Sequence, residues 1–205
     1  MEKNCKDRRN GIITVAQERF ALYGFDKTTM QEIADDLELS KGSLYYYFPD
    51  KESLYKSIIE KEKDEFLHAL HAQISQLSDP DDMLREYIRT RMQLSERLIN
   101  LARTRSMYQQ NLHSFMHEAV RDFHEKEDQI VMKIFQHGLD AGKYVINELG
   151  ATVSLFVNLV RGIRVLYLRN KLIFNVPEEL NQQETEINLF VQIFSRGIRA
   201  FDVEK

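Results

Sequence analysis

Residues 28–51 read TTMQEIADDLELSKGSLYYYFPDK. Thr29 is followed three residues on by Glu32, a spacing at which each side chain can bond an orphan backbone N–H in the first turn of a helix. Met30, Ile33, Ala34 and Leu37 then recur at helical spacing and form an apolar stripe. A second helix start follows almost at once, with Ser40 as its N-cap, and Pro49 ends that helix. Between the two lies only a tight connection around Glu38 and Leu39. Two short helices, a tight turn and a preceding helix to pack on make a helix-turn-helix, with the motif at about 29–48. In such a unit the second helix enters the DNA major groove by its N-terminal residues.

The second helix carries three consecutive tyrosines, and successive helix positions turn by about 100°. One small helix cannot bury all three rings. Leu44 and Phe48 are four apart and face the core, with Tyr45 at its margin. Tyr46 and Tyr47 point away from it, and Lys41 and Ser43 lie near the exposed N-terminal end. Phenol groups there can bond phosphates or meet base edges. The competing reading is an aromatic surface for a partner helix, since aromatics are also enriched at protein interfaces.

Outward from the motif the pattern stays helical. Ile12, Ile13, Ala16 and Phe20 mark a helix over about 7–23, with Gly24 as its left-handed cap. Asp50 caps a long helix at 51–76. Later helical runs begin at Asp79 and Pro80, at His113, at Ala151 and near Glu184. Only three prolines in 205 residues agree with a helical chain. The lone cysteine, Cys5, cannot form an intrachain disulfide and suits a cytoplasmic protein. The charged start MEKNCKDRRNG is unlike a secretory signal. The most apolar run, 152–168, is interrupted by Asn158, Arg161 and Arg164, so it reads as a buried helix and not a membrane span. The formal net charge of −4 argues against a generic polyanion binder but leaves room for a protein whose contact face alone is basic.

The run AQERFALYGFDKTTMQEIADDLELSKGSLYYYFPDKESL, residues 16–54, resembles the DNA-binding head of the TetR/AcrR family of bacterial transcriptional regulators. The likeness rests on Tyr23 and Gly24, Thr28 and Thr29, Ile33 and Ala34, the series Ser40 to Tyr45, Phe48, and Lys51 with Glu52. FQHGLDAGKY and LVRGIRVLYL look like Gly-marked segments of the family's later helices. The resemblance implies that Thr29 touches phosphate and that Ser40, Lys41, Gly42 and Ser43 lie at the groove entrance, with Gly42 admitting a close backbone approach. It implies that Tyr45 and Tyr47 clamp phosphates, that Tyr46 contacts a base, and that Lys51 holds a further phosphate. Glu38 departs from the family pattern, where many members have Gly in the turn. The head is not basic overall: residues 1–56 hold nine Lys/Arg and ten Asp/Glu.

An enzyme reading needs a constellation of reactive groups. His113 and His117 are four apart and His124 is two turns further, the spacing of a metal site on one helix face, but no cysteine or clear third ligand joins them. No phosphate-binding loop, nucleophile elbow or dinucleotide fingerprint occurs. No cofactor is implied.

The expected fold is all-α, with about nine helices. A three-helix head with its helix-turn-helix spans 1–50, a connecting helix spans 51–76, and a helical effector-binding and dimerisation domain spans 77–205. The expected function is a non-enzymatic, ligand-released repressor. It acts as a homodimer, paired through its last two helices, on palindromic double-stranded operator DNA. Its unidentified small-molecule effector is expected behind Phe66, Tyr87, Tyr108 and Phe156, with Met92 and Met107 lining the same cavity. Asn158 and Arg161, polar groups in the most apolar helix, either anchor that ligand or pair within the protein or across the subunit interface. The alternatives are a helical adaptor and a metal-dependent helical enzyme.

Overall fold

The computed structural model describes residues 2–98, 100, 114–174 and 180–199, with side chains at 7–94, 98, 100, 116–163 and 183–199. Met107, Tyr108 and His113 lie outside the described residues. Eight helices stand among those described: α1 Glu2–Tyr23, α2 Met30–Asp36, α3 Lys41–Tyr47, α4 Lys51–Ile74, α5 Pro80–Arg97, α6 Ser114–Asp140, α7 Leu149–Phe174 and α8 Leu180–Gly197. An isolated bridge pairs Tyr144 with Arg199. The all-α expectation holds.

The chain forms two compact units. One comprises Met1–Glu65 and Ser95–Phe123, the other Phe66–Leu94 and His124–Lys205. The division falls within α4, α5 and α6. Polar contacts tie later residues into the first unit. Asn100 Nδ2 donates to Gln17 O at 3.1 Å and to Glu62 Oε1 at 2.8 Å, while Lys63 Nζ bonds Asp122 Oδ2 at 2.5 Å. Asn100, Glu62 and Lys63 are buried, and each of these bonds satisfies a group that water cannot reach.

The core of the first unit follows the expected stripes. Ile12, Ala16 and Phe20 of α1 are buried, as are Ile33 and Ala34 of α2, Leu44 and Phe48 of the recognition helix and its cap, and Leu54 and Ile58 of α4. Burying Leu44 and Phe48 contributes about 1.5–3 kcal/mol each. These are the residues that hold α3 down.

The second unit is fastened where α6 ends. Gly142, at φ +68, closes α6 as a Schellman cap: Lys143 N–H donates to Gly138 O and Gly142 N–H to Leu139 O, both at 2.9 Å. Gly138 has a different role. A Cβ there would lie 2.9 Å from Tyr144 Cγ and closer still to Cδ2 and Cε2, so only Gly lets that ring lie on the helix. Tyr144 OH donates to Asp81 Oδ1 at 2.5 Å, and Arg199 and Lys143 reach Asp81 Oδ2 at 3.0 Å each. Lys143 also bonds Asp79, which caps the first turn of α5. Burial alone would raise the Asp81 carboxyl, but the bonds from Tyr144, Lys143 and Arg199 outweigh it and hold the group below its ordinary value.

Candidate nucleic-acid interface and ligand cavity

The helix-turn-helix is built as the local chemistry requires. Thr29 caps α2 in a reciprocal capping box: Glu32 N–H donates to Thr29 Oγ1, and Thr29 N–H to Glu32 Oε2 at 2.8 Å. Thr29 Oγ1 also lies 2.8 Å from Glu32 Oε2. Hydrogen bonds from Thr29 hold the Glu32 carboxyl below its ordinary value. The turn after α2 is a second Schellman cap. Leu39 N–H donates to Ala34 O at 2.9 Å and Glu38 N–H to Asp35 O at 3.1 Å, with Glu38 at φ +52. The Gly-to-Glu departure therefore leaves the turn's shape intact and places a Cβ in the left-handed region. Ser40 caps α3, accepting from Ser43 N–H at 3.1 Å.

The outward face of α3 has no part in the core. Lys41, Gly42, Ser43 and Tyr45 are exposed, and Tyr46 is 79% exposed. Tyr46 meets the half-buried Tyr47 edge-on at 5.2 Å, which orients the outer phenol. Lys41 Nζ lies 5.9 Å above the Tyr45 ring. At Gly42 a Cβ would come no closer than 4.0 Å to any side chain, so the fold itself does not require glycine there.

Several charges near this face are already committed. Arg19 forms a two-pronged pair with Asp36 and a 3.4 Å contact with Glu32, which removes two of the acids from competition with an incoming anion. The Arg9 guanidinium lies 4.6 Å over the Phe48 ring and donates to Ser57 Oγ at 3.0 Å. Lys51 is held by two carbonyls, Phe25 O at 2.9 Å and Thr28 O at 3.0 Å. Arg8, Lys27, Lys41 and Lys56 are among the exposed cations described on this unit.

The interior of the second unit differs from expectation. Phe156 sits in a packed aromatic cluster, 5.4 Å from Phe135 and 5.0 Å from Phe194, both edge-on, with Tyr87 at 6.0 Å. Phe66, Tyr87 and Phe156 are fully buried. Their rings pack in the core of this unit. Asn158 lies on the exposed face of α7, with Nδ2 3.4 Å from Ser154 Oγ. Arg161 takes the ion-pair alternative, with Nη2 2.9 Å from Glu127 Oε2 and 2.7 Å from Asp128 Oδ1. Glu127 is fully buried, is paired with the equally buried Arg91, and accepts from Tyr87 OH at 3.1 Å. Neither Arg91 nor Glu127 was singled out in the sequence. The signal was present, since Arg91 continues the stripe of Leu84, Tyr87 and Ile88, and Glu127 that of Phe123, Val131 and Ile134.

A cavity of about 190 Å³ does exist, between α5, α7 and α8. Ile88, Met92, Val160, Ile163, Ile187 and Phe190 make it apolar, with Gln183 and Glu186 as its polar edge. Met92, expected to line a ligand site, lines this cavity. Among the described residues no helix is long and apolar enough to cross a membrane, and no cluster of three or more His, Cys, Asp or Glu is arranged to hold a metal ion.

Residues 12–58 match the family described as "Bacterial regulatory proteins, tetR family". A solved transcriptional regulator from Cytophaga hutchinsonii is 32% identical, aligned over 93% of this chain and 98% of its own, with a TM-score of 0.74. The chain belongs to the TetR family. It is a helix-turn-helix regulator of transcription that binds DNA, like its relatives. The regulator QacR of Staphylococcus aureus is 26% identical over 198 residues, covering 95% of this TetR-family chain and 98% of QacR. Bacillus subtilis FadR, solved in complex with stearoyl-CoA, shares the fold at 16% identity and a TM-score of 0.73, over 92% of this chain and 98% of FadR.

Proposed function

We propose that this regulator is a homodimeric, ligand-released repressor acting in the cytoplasm on a palindromic operator. The observation that carries the reading is the outward face of α3. Lys41, Gly42, Ser43, Tyr45 and Tyr46 contribute nothing to the core that Ala would not, yet together they present a cation, hydroxyls and a backbone free of side-chain bulk. Tyr46 meets a base edge, Ser40 and Lys41 meet backbone at the groove entrance, and Thr29, Tyr45 and Tyr47 hold phosphates.

Dimerisation is supported by apolar side chains that have no cover. Leu155, Leu159 and Ile163 stand at i, i+4 and i+8 on α7, and Leu189 with Ile193 on α8, all exposed in the single chain. A second copy that pairs these helices would bury them in a four-helix bundle. Two heads would then read half-sites about one helical turn apart.

The cavity supports a small apolar effector. A dry cavity of about 150 Å³ can hold benzene, so the volume here suits a compact ligand. A ligand that prefers one conformation of the protein lowers operator affinity by its differential affinity for the two states. FadR's stearoyl-CoA, a long acyl chain on a charged nucleotide carrier, supports the general case of a ligand with an apolar part in this fold.

The test is anisotropy titration of labelled duplexes with wild type and Tyr46→Ala. Tyr46→Ala lowers affinity for the preferred duplex more than for a scrambled one, because a base contact specifies and a phosphate contact positions. Equal loss on both duplexes refutes the assignment. Light scattering on Leu159→Asp is expected to give a monomer, and an unchanged dimer refutes the interface.

A further inference from the structure

Residues 28–40, the first half of the helix-turn-helix, hold four acids, Glu32, Asp35, Asp36 and Glu38, and no Lys or Arg. In such a motif the first helix crosses the phosphate backbone. The charge on α2 is therefore opposite to the one its place calls for. Asp35 and Asp36 also stand in its last turn, where the negative helix end disfavours acids. Thr29, proposed above to hold a phosphate, has Glu32 Oε2 2.8 Å from its Oγ1. A phosphate bound there would stand beside that carboxylate, and the two like charges would repel.

The compensating charge comes from α1. Arg19 donates through Nε and Nη2 to the two oxygens of Asp36, the second bond at 2.9 Å, and its Nη1 lies 3.4 Å from Glu32 Oε1. One guanidinium reaches two carboxylates that stand one turn apart on α2. Its own helix supports it from below, with Cζ 5.3 Å from the centre of the Tyr23 ring four residues on. The bonds from Arg19 hold the Asp36 carboxyl below its ordinary value. Asp35 is served separately, by Gln31 Nε2 at 2.7 Å.

We infer that Arg19 is a positioning residue for DNA binding: its guanidinium holds and neutralises Glu32 and Asp36, so that the acidic α2 can lie across phosphates without repelling them. This rests on the DNA-reading role of α3. It needs no contact between Arg19 and DNA, because the residue acts through the two carboxylates. A guanidinium suits the task, since it forks onto one carboxylate, still presents an N–H to a second, and does not lose its charge.

Duplex titrations separate this screening from a purely mechanical clamp of α1 on α2, at a temperature where circular dichroism shows every variant folded. Arg19→Met is expected to bind severalfold more weakly at low salt, and the deficit shrinks as added salt shortens the screening length. Arg19→Lys, which keeps the charge but not the fork, is expected to stay closer to wild type than Arg19→Met. Adding Asp36→Asn to Arg19→Met is expected to restore most of the lost affinity, although the bond between α1 and α2 is still missing. Adding instead Glu18→Gln, which removes an equal charge from an exposed position of α1, is expected to restore less. A deficit equal at every salt concentration, no recovery with Asp36→Asn, or Arg19→Lys as weak as Arg19→Met marks a mechanical clamp and overturns the proposal. Equal recovery from Asp36→Asn and Glu18→Gln marks an effect of net charge alone and overturns it as well.

A titration of the side-chain carboxyls by NMR needs no DNA. In Arg19→Met the Asp36 carboxyl is expected to rise toward its ordinary value, and an unchanged Asp36 overturns the proposal. If the wild type binds no duplex at all, the DNA-reading role fails, while this titration still decides whether Arg19 governs the acids of α2.

Discussion

Replacing Glu127 by Gln keeps the shape of the side chain and one acceptor oxygen but removes its charge. The structure makes the consequence unequal for its neighbours. Tyr87 OH can still donate to the amide oxygen, and Arg161, partly exposed, keeps Asp128 at 2.7 Å. Arg91 has no exposed surface, and its guanidinium would face a neutral amide where it now faces a carboxylate. Breaking a buried pair in this way costs about 3–5 kcal/mol. At about 2–4 °C per kcal/mol for a chain of this size, Tm falls by roughly 10 °C. Arg91→Met is expected to cost less, because Glu127 retains Arg161 Nη2 at 2.9 Å and Tyr87. Combining Arg91→Met with Glu127→Gln recovers at least about 2 kcal/mol relative to the sum of the singles, since the cation that faced Glu127 is gone as well. Calorimetry of the four proteins closes the cycle. A loss under about 1 kcal/mol for Glu127→Gln, or simple additivity in the double variant, refutes the buried-pair reasoning.

Gly138→Ala drives a methyl into the Tyr144 ring, and displacing that ring costs about 1–3 kcal/mol, read as a lower denaturation midpoint at unchanged slope. Glu38→Gly relieves a left-handed non-glycine residue and stabilises the chain by up to about 1 kcal/mol by the same measurement. Asp79 and Asp81 feel burial first, which raises them, but hydrogen bonds from Lys143 to both, and from Tyr144 and Arg199 to Asp81, leave both below their ordinary value. Their contribution is therefore present above the unfolded value of about 3.9 and is lost as pH falls through the lower folded one. A pH series of Tm is expected to fall more steeply in acid for wild type than for Asp81→Asn, and parallel curves would contradict it.

Most of the DNA-binding half was legible because local rules there agree with one another. The capping box at Thr29 and Glu32, the Ser40 cap, the core pair Leu44 and Phe48, and the exposed Tyr46 all follow from spacing within a few residues. The intramolecular partners of Lys51 were not legible, since its carbonyl partners lie 23 and 26 residues back and only the folded turn brings them near. The ligand cavity was less legible. Large apolar residues mark a core as readily as a pocket, and Phe66, Tyr87 and Phe156 turned out to be core. Asn158 was judged by its apolar neighbours in sequence, although its own side of α7 is exposed. The buried Arg91 and Glu127 carried a readable signal, two opposite charges standing in apolar stripes, but their pairing spans 36 positions that no local pattern connects.

The central claim is that α3 reads DNA sequence. The purified chain is challenged with a random-sequence duplex pool, and the enriched duplex is titrated against a scrambled one across a salt series. The account predicts enrichment of an inverted repeat bound about 10³-fold or more tighter than the scrambled duplex, with affinity falling linearly in log–log salt for both. Failure to enrich any sequence, or equal affinity for the two duplexes, contradicts it.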